Sequence, residues 1–520
     1  MNARATSGEP EQRDRAAAPG RSGGYDLLID LAAERRRGAG ARAGLEAALR
    51  EAVRDGRLAP GTRLPSSRAL ARDLGLARNT VADAYGQLVA EGWLTARQGS
   101  GTAVAARQAA PAPPSARRSA HPAAHPAAGS SGTRRADGTR GTHGNGRAAG
   151  TAAVPDAVRL PYSLWPGSPD VSAFPRAAWG AAARRALTAA PSEAFGYSDP
   201  RGRPELREAL ASYLARVRGV RADPELLVVC TGFVQAVGLL ARVLRARGGR
   251  RIAVEELGFP DTRTLLRANG LTTLPLPLDG DGAVVDRLDG TADAVLLTPA
   301  HQFPTGVPLS PARRTAVVDW ARAMGGLVLE DDYDGEFRYD RQPVGALQSL
   351  APEHVVYAGT ASKSLAPGLR LAWLAVPPDL VDAVVREKRM ADHHSPVIDQ
   401  LTLAEFIGSG AHDRHVRRMR LRYRARRDRL VAALGERVPS VRVSGIAAGL
   451  HAVVELPATA GPLEELTGRA RQRGLALGGL DLLGARADRP ALVIGYATPP
   501  DHAFGGALDR LCEVLAEFCG

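Results

Sequence analysis

The chain has 520 residues, 44% of them apolar and 24% charged, with a formal net charge of +13 and a pI near 10.3. That length exceeds one ordinary core and predicts at least two domains, and the basic balance favours a polyanionic partner. No apolar run is long enough to span a bilayer and the N-terminus has no apolar leader core, which excludes a membrane protein and predicts a cytoplasmic one; Cys230, Cys512 and Cys519, without CxxC spacing, exclude a disulfide framework.

Residues 1–24, rich in Ala, Gly, Arg and Glu without apolar periodicity, are expected to form a disordered arm. Residues 25–104 read as a first domain. Leu45, Leu49 and Val53 recur at helical spacing until Gly56 and Pro60-Gly61 turn the chain. Ser66 or Ser67 suits the N-cap of a helix through Leu70 and Leu74. After Gly75, Arg78 to Glu91 predicts another helix with Val81, Tyr85 and Leu88 on one face. Two helices across a short Gly-containing turn, followed by WLTARQGSGTAV (93–104) with its alternating start and Gly-Ser-Gly turn, predict a helix-turn-helix with a two-stranded wing.

The run from Leu64 to Val104, LPSSRALARDLGLARNTVADAYGQLVAEGWLTARQGSGTAV, resembles the winged helix-turn-helix of GntR-type regulators. The resemblance implies binding to a double-stranded DNA operator, with the third helix in the major groove. It places Arg68, Arg78, Asn79 and Thr80 at the DNA and lets the wing approach the sugar-phosphate at Gly99. Arg78 suits a bidentate contact to guanine and Asn79 one to adenine, with the base each reads left open. Ala82 stands where many such regulators carry a second basic residue.

From Ala105 to about Gly150 the chain is Ala, Pro, Gly, Ser, Thr and His with seven arginines against Asp137 alone. This composition predicts a flexible linker at 105–157 whose charge adds non-specific attraction to phosphate. His121, His125 and His143 lack the spacing and company of a metal site, so no metal is expected. Residues 158–520 alternate helical and strand-like patterns. Short apolar runs at Leu226–Cys230, Arg251–Val254, Ala294–Thr298, Gly326–Leu329 and Val355–Tyr357 predict a mostly parallel sheet with helices on both faces and the site at strand ends.

Of the 68 lysines and arginines only two are lysines, Lys363 and Lys388. An ammonium can lose its proton and form an imine with an aldehyde, whereas a guanidinium cannot, so a lysine kept in an arginine-built chain points to that chemistry and to pyridoxal phosphate as the aldehyde. Thr360, Ser362 and Arg370 around Lys363 suit a phosphate. The strand LVLEDDYDGEF (327–337) ends in carboxylates, of which one is the partner a pyridinium nitrogen requires: Asp331 first, Asp332 as second choice. Thr231-Gly232-Phe233-Val234 closes a strand and opens a helix, so its backbone amides can hold a phosphate.

DDYDGEFRY followed by SKSLAPGLRL resembles the fold-type I aminotransferase module of MocR/GabR-type regulators, a GntR branch. The resemblance implies an α/β fold with large and small subdomains, Lys363 as the Schiff-base lysine and Phe259 as the aromatic that stacks on the cofactor ring. It also implies Tyr197 as a residue lent to the neighbouring subunit's phosphate in a homodimer. TPAHQFPTG (298–306) resembles the loop that supports the cofactor's phenolic oxygen; Phe303 replaces its asparagine and passes that role to Tyr333. Val493 stands where aminotransferases hold a substrate carboxylate with arginine. The implied function is a transcription factor whose aminotransferase-like domain senses a small-molecule effector, an amine, an amino acid or pyridoxal phosphate itself. The alternative is an active aminotransferase with an accessory DNA-binding domain. The arginines at 417, 418, 420, 422, 424, 426 and 427 read as the solvated face of a helix joining the subdomains, ahead of a second nucleic-acid surface.

Overall fold

The computed structural model describes residues 40–54, 58, 62–74, 76–97, 101–105, 160–339, 344–484 and 490–519. The expected arm, the linker beyond residue 105, and Gly99 lie outside these residues. The chain falls into two compact units.

Helix α1 (Ala41–Arg54), α2 (Ser67–Leu74) and α3 (Arg78–Ala90) precede a hairpin of β1 (Leu94–Arg97) and β2 (Gly101–Val104); of these, Gly86–Leu94 belongs to the second unit and the rest to the first. Of the two serines suited to cap α2, Ser66 is the one that does so. Its Oγ accepts from the Ala69 amide at 3.2 Å, satisfying one of the orphan donors of the first turn. Leu45, Leu49, Val81 and Tyr85 are buried, as their spacing predicts, and the Tyr85 hydroxyl donates to the Pro65 carbonyl at 3.0 Å. Arg63 pairs with Ala103, so the hairpin gains a third extended segment.

In the second unit, α4 (Pro204–Arg218) starts on a proline at its first position and stops at Gly219, which takes a left-handed conformation. A central sheet of seven strands among the described residues follows: β3 (Leu227–Cys230), β4 (Arg251–Glu255), β5 (Thr272–Leu276), β6 (Ala294–Leu297), β7 (Leu327–Asp332), β8 (Val355–Thr360) and β9 (Ala372–Ala375), in spatial order β3-β9-β8-β7-β6-β4-β5. Only β9 runs antiparallel to its neighbours. Its four residues lie too close behind the lysine loop to stand out as a separate run, and β5, half-exposed and interrupted by Pro275, likewise gives a weak pattern. Alternation along β7 sorts its side chains. Leu327 and Leu329 enter the core under α5 (Phe233–Ala246), while Val328 enters the core on the opposite face.

Helix α6 (Val381–Asp392) covers the same face as α5, and α7 (Ala411–Arg437) leads into a C-terminal lobe. That lobe has a four-stranded antiparallel sheet of β10 (Arg442–Ser444), β11 (Ala452–Glu455), β12 (Gly478–Gly479) and β13 (Ala491–Ile494). The arginine run on α7 is only partly a solvated face. Arg417, Arg418 and Arg424 are exposed, but Arg426 is buried, with its Nη2 2.9 Å from Asp170 and its Nη1 2.7 Å from the Pro499 carbonyl. Arg427 donates to the Ile446 carbonyl and lies over the Tyr339 ring. Part of the run therefore ties the helix to its surroundings, which a count of charges could not reveal.

Candidate functional site

The C-terminal ends of β4, β6, β7 and β8 and the start of α5 surround a cavity of about 200 Å³. It holds most of the residues singled out from the sequence: Phe233, Val234, Phe259, Asp331, Tyr333, Thr360, Ser362, Lys363 and Arg370.

One end is built for an anion. Helix α5 begins at Gly232 (φ 114°, ψ 167°) with no side chain capping its first amides, so those donors and the positive end of the helix dipole face the cavity. Arg370, itself left-handed at φ 53°, lays its guanidinium on Gly232: a Cβ there would stand 2.3 Å from Arg370 Nη2. A guanidinium held against a helix N-terminus repels it unless an anion lies between or beside them. The hydroxyls are arranged to assist. Thr360 Oγ1 donates to Ser362 Oγ at 2.8 Å, which leaves the Ser362 hydrogen for a ligand. Gln235 braces the helix start by accepting from the Thr231 amide at 2.9 Å and donating to Asp392 at 2.8 Å.

The other end carries the amine. Lys363 Nζ donates to the Gly167 carbonyl, and burial lowers its pKa from the usual lysine value, against the pull of Asp331 and Asp334. The second lysine is not available: Lys388 is 0% exposed, paired with Asp392 and bonded to Ser395 Oγ at 3.0 Å. Asp331 lines the cavity, and burial followed by the charge of Asp332 pushes its pKa well above the carboxylate range. Such a carboxyl regains its charge when a cation is placed beside it. Asp332, the second choice for the pyridinium partner, faces the opposite side of β7. Its carboxylate takes Arg218 Nε at 2.6 Å, Arg218 Nη2 at 2.9 Å and the Tyr357 hydroxyl at 2.7 Å, all buried. Glu255, also on the cavity wall, is raised to about 7 by burial while the Thr298 hydroxyl donates to it at 2.6 Å.

Phe259 lines the cavity but stacks on Phe303, with ring centroids 4.4 Å apart and planes 12° from parallel. Tyr197 is not brought to the cavity of its own chain: it is 90% exposed and lies 5.2 Å from the His393 ring. Val493, on β13, is fully buried in an apolar cluster with Phe303, Leu480 and Leu483, against which Tyr333 packs. Sequence reasoning missed a buried group beside Tyr333, made of His301, Asp334 and His451, whose potential ligand atoms lie within 4.8 Å of one another. His301 and Asp334 sit inside motifs already marked, whereas His451 has no local signal and arrives from the C-terminal lobe. On the first unit, Arg68, Arg78 and Asn79 are exposed and Thr80 half-exposed. Arg78, Asn79 and Thr80 form the first turn of α3.

Comparison with known proteins agrees with this arrangement. Residues 41–104 match the bacterial regulatory proteins of the gntR family, and residues 169–470 match aminotransferase class I and II. The chain is 34% identical over 391 residues to the probable rhizopine catabolism regulatory protein MocR of Rhizobium meliloti, covering 75% of this chain and 76% of that one. It is 33% identical over 406 residues to the pyridoxine biosynthesis transcriptional regulator PdxR of Corynebacterium glutamicum, covering 78% and 81%. To the regulator TauR of Rhodobacter capsulatus it is 34% identical over 476 residues, covering 89% and 94%. Among solved structures, an archaeal alanine:glyoxylate aminotransferase superposes with a TM-score of 0.63 at 26% identity, covering 69% of this chain and 91% of that one. With both modules matched and relatives aligned across most of their length, the chain belongs to the MocR/GabR-type regulators, in which a GntR winged helix is joined to a fold-type I aminotransferase domain.

Proposed function

We propose that this protein is a transcription factor that holds pyridoxal phosphate on Lys363 and uses that site to sense a small molecule, so that its occupancy controls binding of a cytoplasmic homodimer to operator DNA. The observation that carries the reading is the pairing, in one cavity, of an uncapped helix start under Arg370 with Lys363 and Asp331. Pyridoxal phosphate fits it: a phosphate answers the helix start and guanidinium, a pyridine nitrogen answers Asp331, and an aldehyde answers the amine. When bound, the group would supply an electrophilic carbon and an electron-withdrawing ring. The protein's own part is to fix the phosphate, keep the ring nitrogen charged and exclude water with Phe259 and Phe303.

The relatives' names support a regulatory role, and buried Val493 in place of a carboxylate-binding arginine favours sensing over turnover. Tyr197, exposed in the single chain, is free to reach a second subunit in the proposed dimer. The deciding experiment is operator affinity for the full-length protein with and without pyridoxal phosphate and candidate amines. Regulation through this site predicts a ligand-dependent shift of about 1–3 kcal/mol, and no response to any of them would end the proposal.

Two variants test the halves separately. Arg78→Ala should weaken cognate-operator binding by about 1–3 kcal/mol and relax base preference at one position of each half-site. Equal losses on cognate and random DNA would reduce Arg78 to a phosphate contact. Gly232→Ala places a methyl in the space of the Arg370 guanidinium, at a φ that alanine rarely adopts. Pyridoxal phosphate should bind at least about tenfold more weakly, a loss of about 1.4 kcal/mol. Unchanged affinity would remove the helix start from the phosphate site.

A further inference from the structure

The loops after β6 and β7 bring together buried groups that the cavity wall does not include. His301 and Asp334 are 2% and 1% exposed. His301 Nδ1 lies 2.8 Å from Asp334 Oδ2 and 2.9 Å from the Tyr333 hydroxyl, and Tyr333 does line the cavity, with Lys363 and Asp331. The C-terminal lobe closes over this pair from the other side. A Cβ on Gly449, whose φ is +81°, would fall 2.1 Å from His301 Cε1 and 2.7 Å from Asp334 Oδ2. The His451 ring stands 5.1 Å from that of His301, fixed by a 3.0 Å bond from Nε2 to the Pro304 carbonyl.

Hydrogen accounting selects one arrangement. A carboxylate only accepts, so the His301 hydrogen sits on Nδ1 and points to Asp334. The other tautomer would set two lone pairs against each other and leave a buried N–H at Nε2, which has no partner among the described residues. With Nδ1 as donor, the Tyr333 oxygen accepts a share of that hydrogen, and its own hydrogen turns either to Asp334, with which it also interacts, or to an acceptor in the cavity. Tyr333 stays protonated, because burial, then Asp334 and Asp331, hold its pKa well above that of free tyrosine.

We propose that His301 and Asp334 are positioning residues that aim the Tyr333 hydroxyl at the phenolic oxygen of the cofactor, and that Gly449 and His451 make this aim depend on the seating of the C-terminal lobe. The inference rests on the cofactor reading above and adds a route by which ligand at Lys363 and lobe position affect each other. No metal is required for it, since the cluster's Nδ1 and Oδ2 are already bonded to one another.

The titratable groups facing Tyr333 are His301, Asp334, Asp331 and Glu255, with Lys363 and His451 next to them. A donor on the phenolic oxygen favours the deprotonated chromophore, so losing its aim raises the pH at which the visible band titrates. In full-length protein loaded with pyridoxal phosphate, Tyr333→Phe and His301→Asn should each raise that midpoint, by about one pH unit for the first. The double variant should move no further than Tyr333→Phe alone, because both act through one hydroxyl. Gly449→Ala, in the other lobe, should shift the midpoint the same way, and His301→Gln, which keeps a polar group of similar reach, should recover part of it. Thermal unfolding followed alongside identifies a variant that has lost its fold, in which case His301→Gln carries the test. A His301→Asn midpoint equal to wild type, or a shift that adds to that of Tyr333→Phe, overturns the proposal while leaving the cofactor reading intact. A wild-type protein that never acquires the band overturns both.

Discussion

Lys363→Ala is expected to give a folded, colourless protein that no longer retains pyridoxal phosphate through dialysis, where the wild type is yellow. The expectation follows from the distribution of amines. Lys363 is the lysine that lines the cavity, and burial lowers its pKa, so a larger fraction is the neutral nucleophile at a given pH than for a surface lysine. Lys388 cannot replace it, because its ammonium is enclosed, paired with Asp392 and bonded to Ser395. The phosphate end is untouched by the substitution, so weak reversible binding should survive. A visible band persisting in Lys363→Ala would mean that another amine reaches the ligand, and the cofactor assignment would be wrong. Because the substitution lies outside residues 41–104, which match the gntR family, basal operator binding should remain while the response to ligand changes.

The largest effect on stability should come from Asp332. Its carboxylate and the Arg218 guanidinium are 1% and 4% exposed, and two direct bonds join them. Burial alone would lower the arginine's pKa; the charge and hydrogen bond of Asp332, with Tyr357 and Glu336 beside it, together outweigh burial and hold it above normal. Asp332→Ala strands a buried cation beside the Gly335 and Val344 carbonyls, at a cost of about 3–5 kcal/mol. The double variant Arg218→Met, Asp332→Leu should recover most of that loss, since the pair's own net contribution is small once desolvation is counted. Urea unfolding of the two variants measures both numbers. A loss under about 1 kcal/mol in the single variant would show that water or another acid compensates Arg218. Asp332 is also the second cause, after burial, of the raised Asp331 pKa. The double variant should therefore leave Asp331 more easily ionised.

Much of this site was legible in the sequence, because its parts are local. The lysine loop, the acidic strand end and the glycine before α5 each carry a residue type that few structural roles require. The choice between Asp331 and Asp332 was not legible. Strand β7 is buried on both faces, so LVLEDD shows no alternation, and only the register of Leu327 and Leu329 under α5 reveals which carboxylate faces the cavity. Arg218 decides the fate of Asp332 from 114 positions away, and His451 meets His301 from a different lobe. Neither separation leaves a trace in local composition. The arginines of α7 failed for a related reason: a side chain as long as arginine can be solvent-facing or a buried brace with the same spacing, and Arg424 and Arg426 do one each.

The near absence of lysine has a practical side for anyone handling the molecule. Apart from the terminal amine, amine-selective reagents meet one accessible lysine in 520 residues, and it lies in the cavity. Reduction with borohydride in the presence of an aldehyde ligand would then write the occupancy of the site into the mass of the intact chain, one increment per filled cavity, without purification of a peptide. The same economy makes the protein a natural scaffold for attaching a single reporter at its own binding pocket.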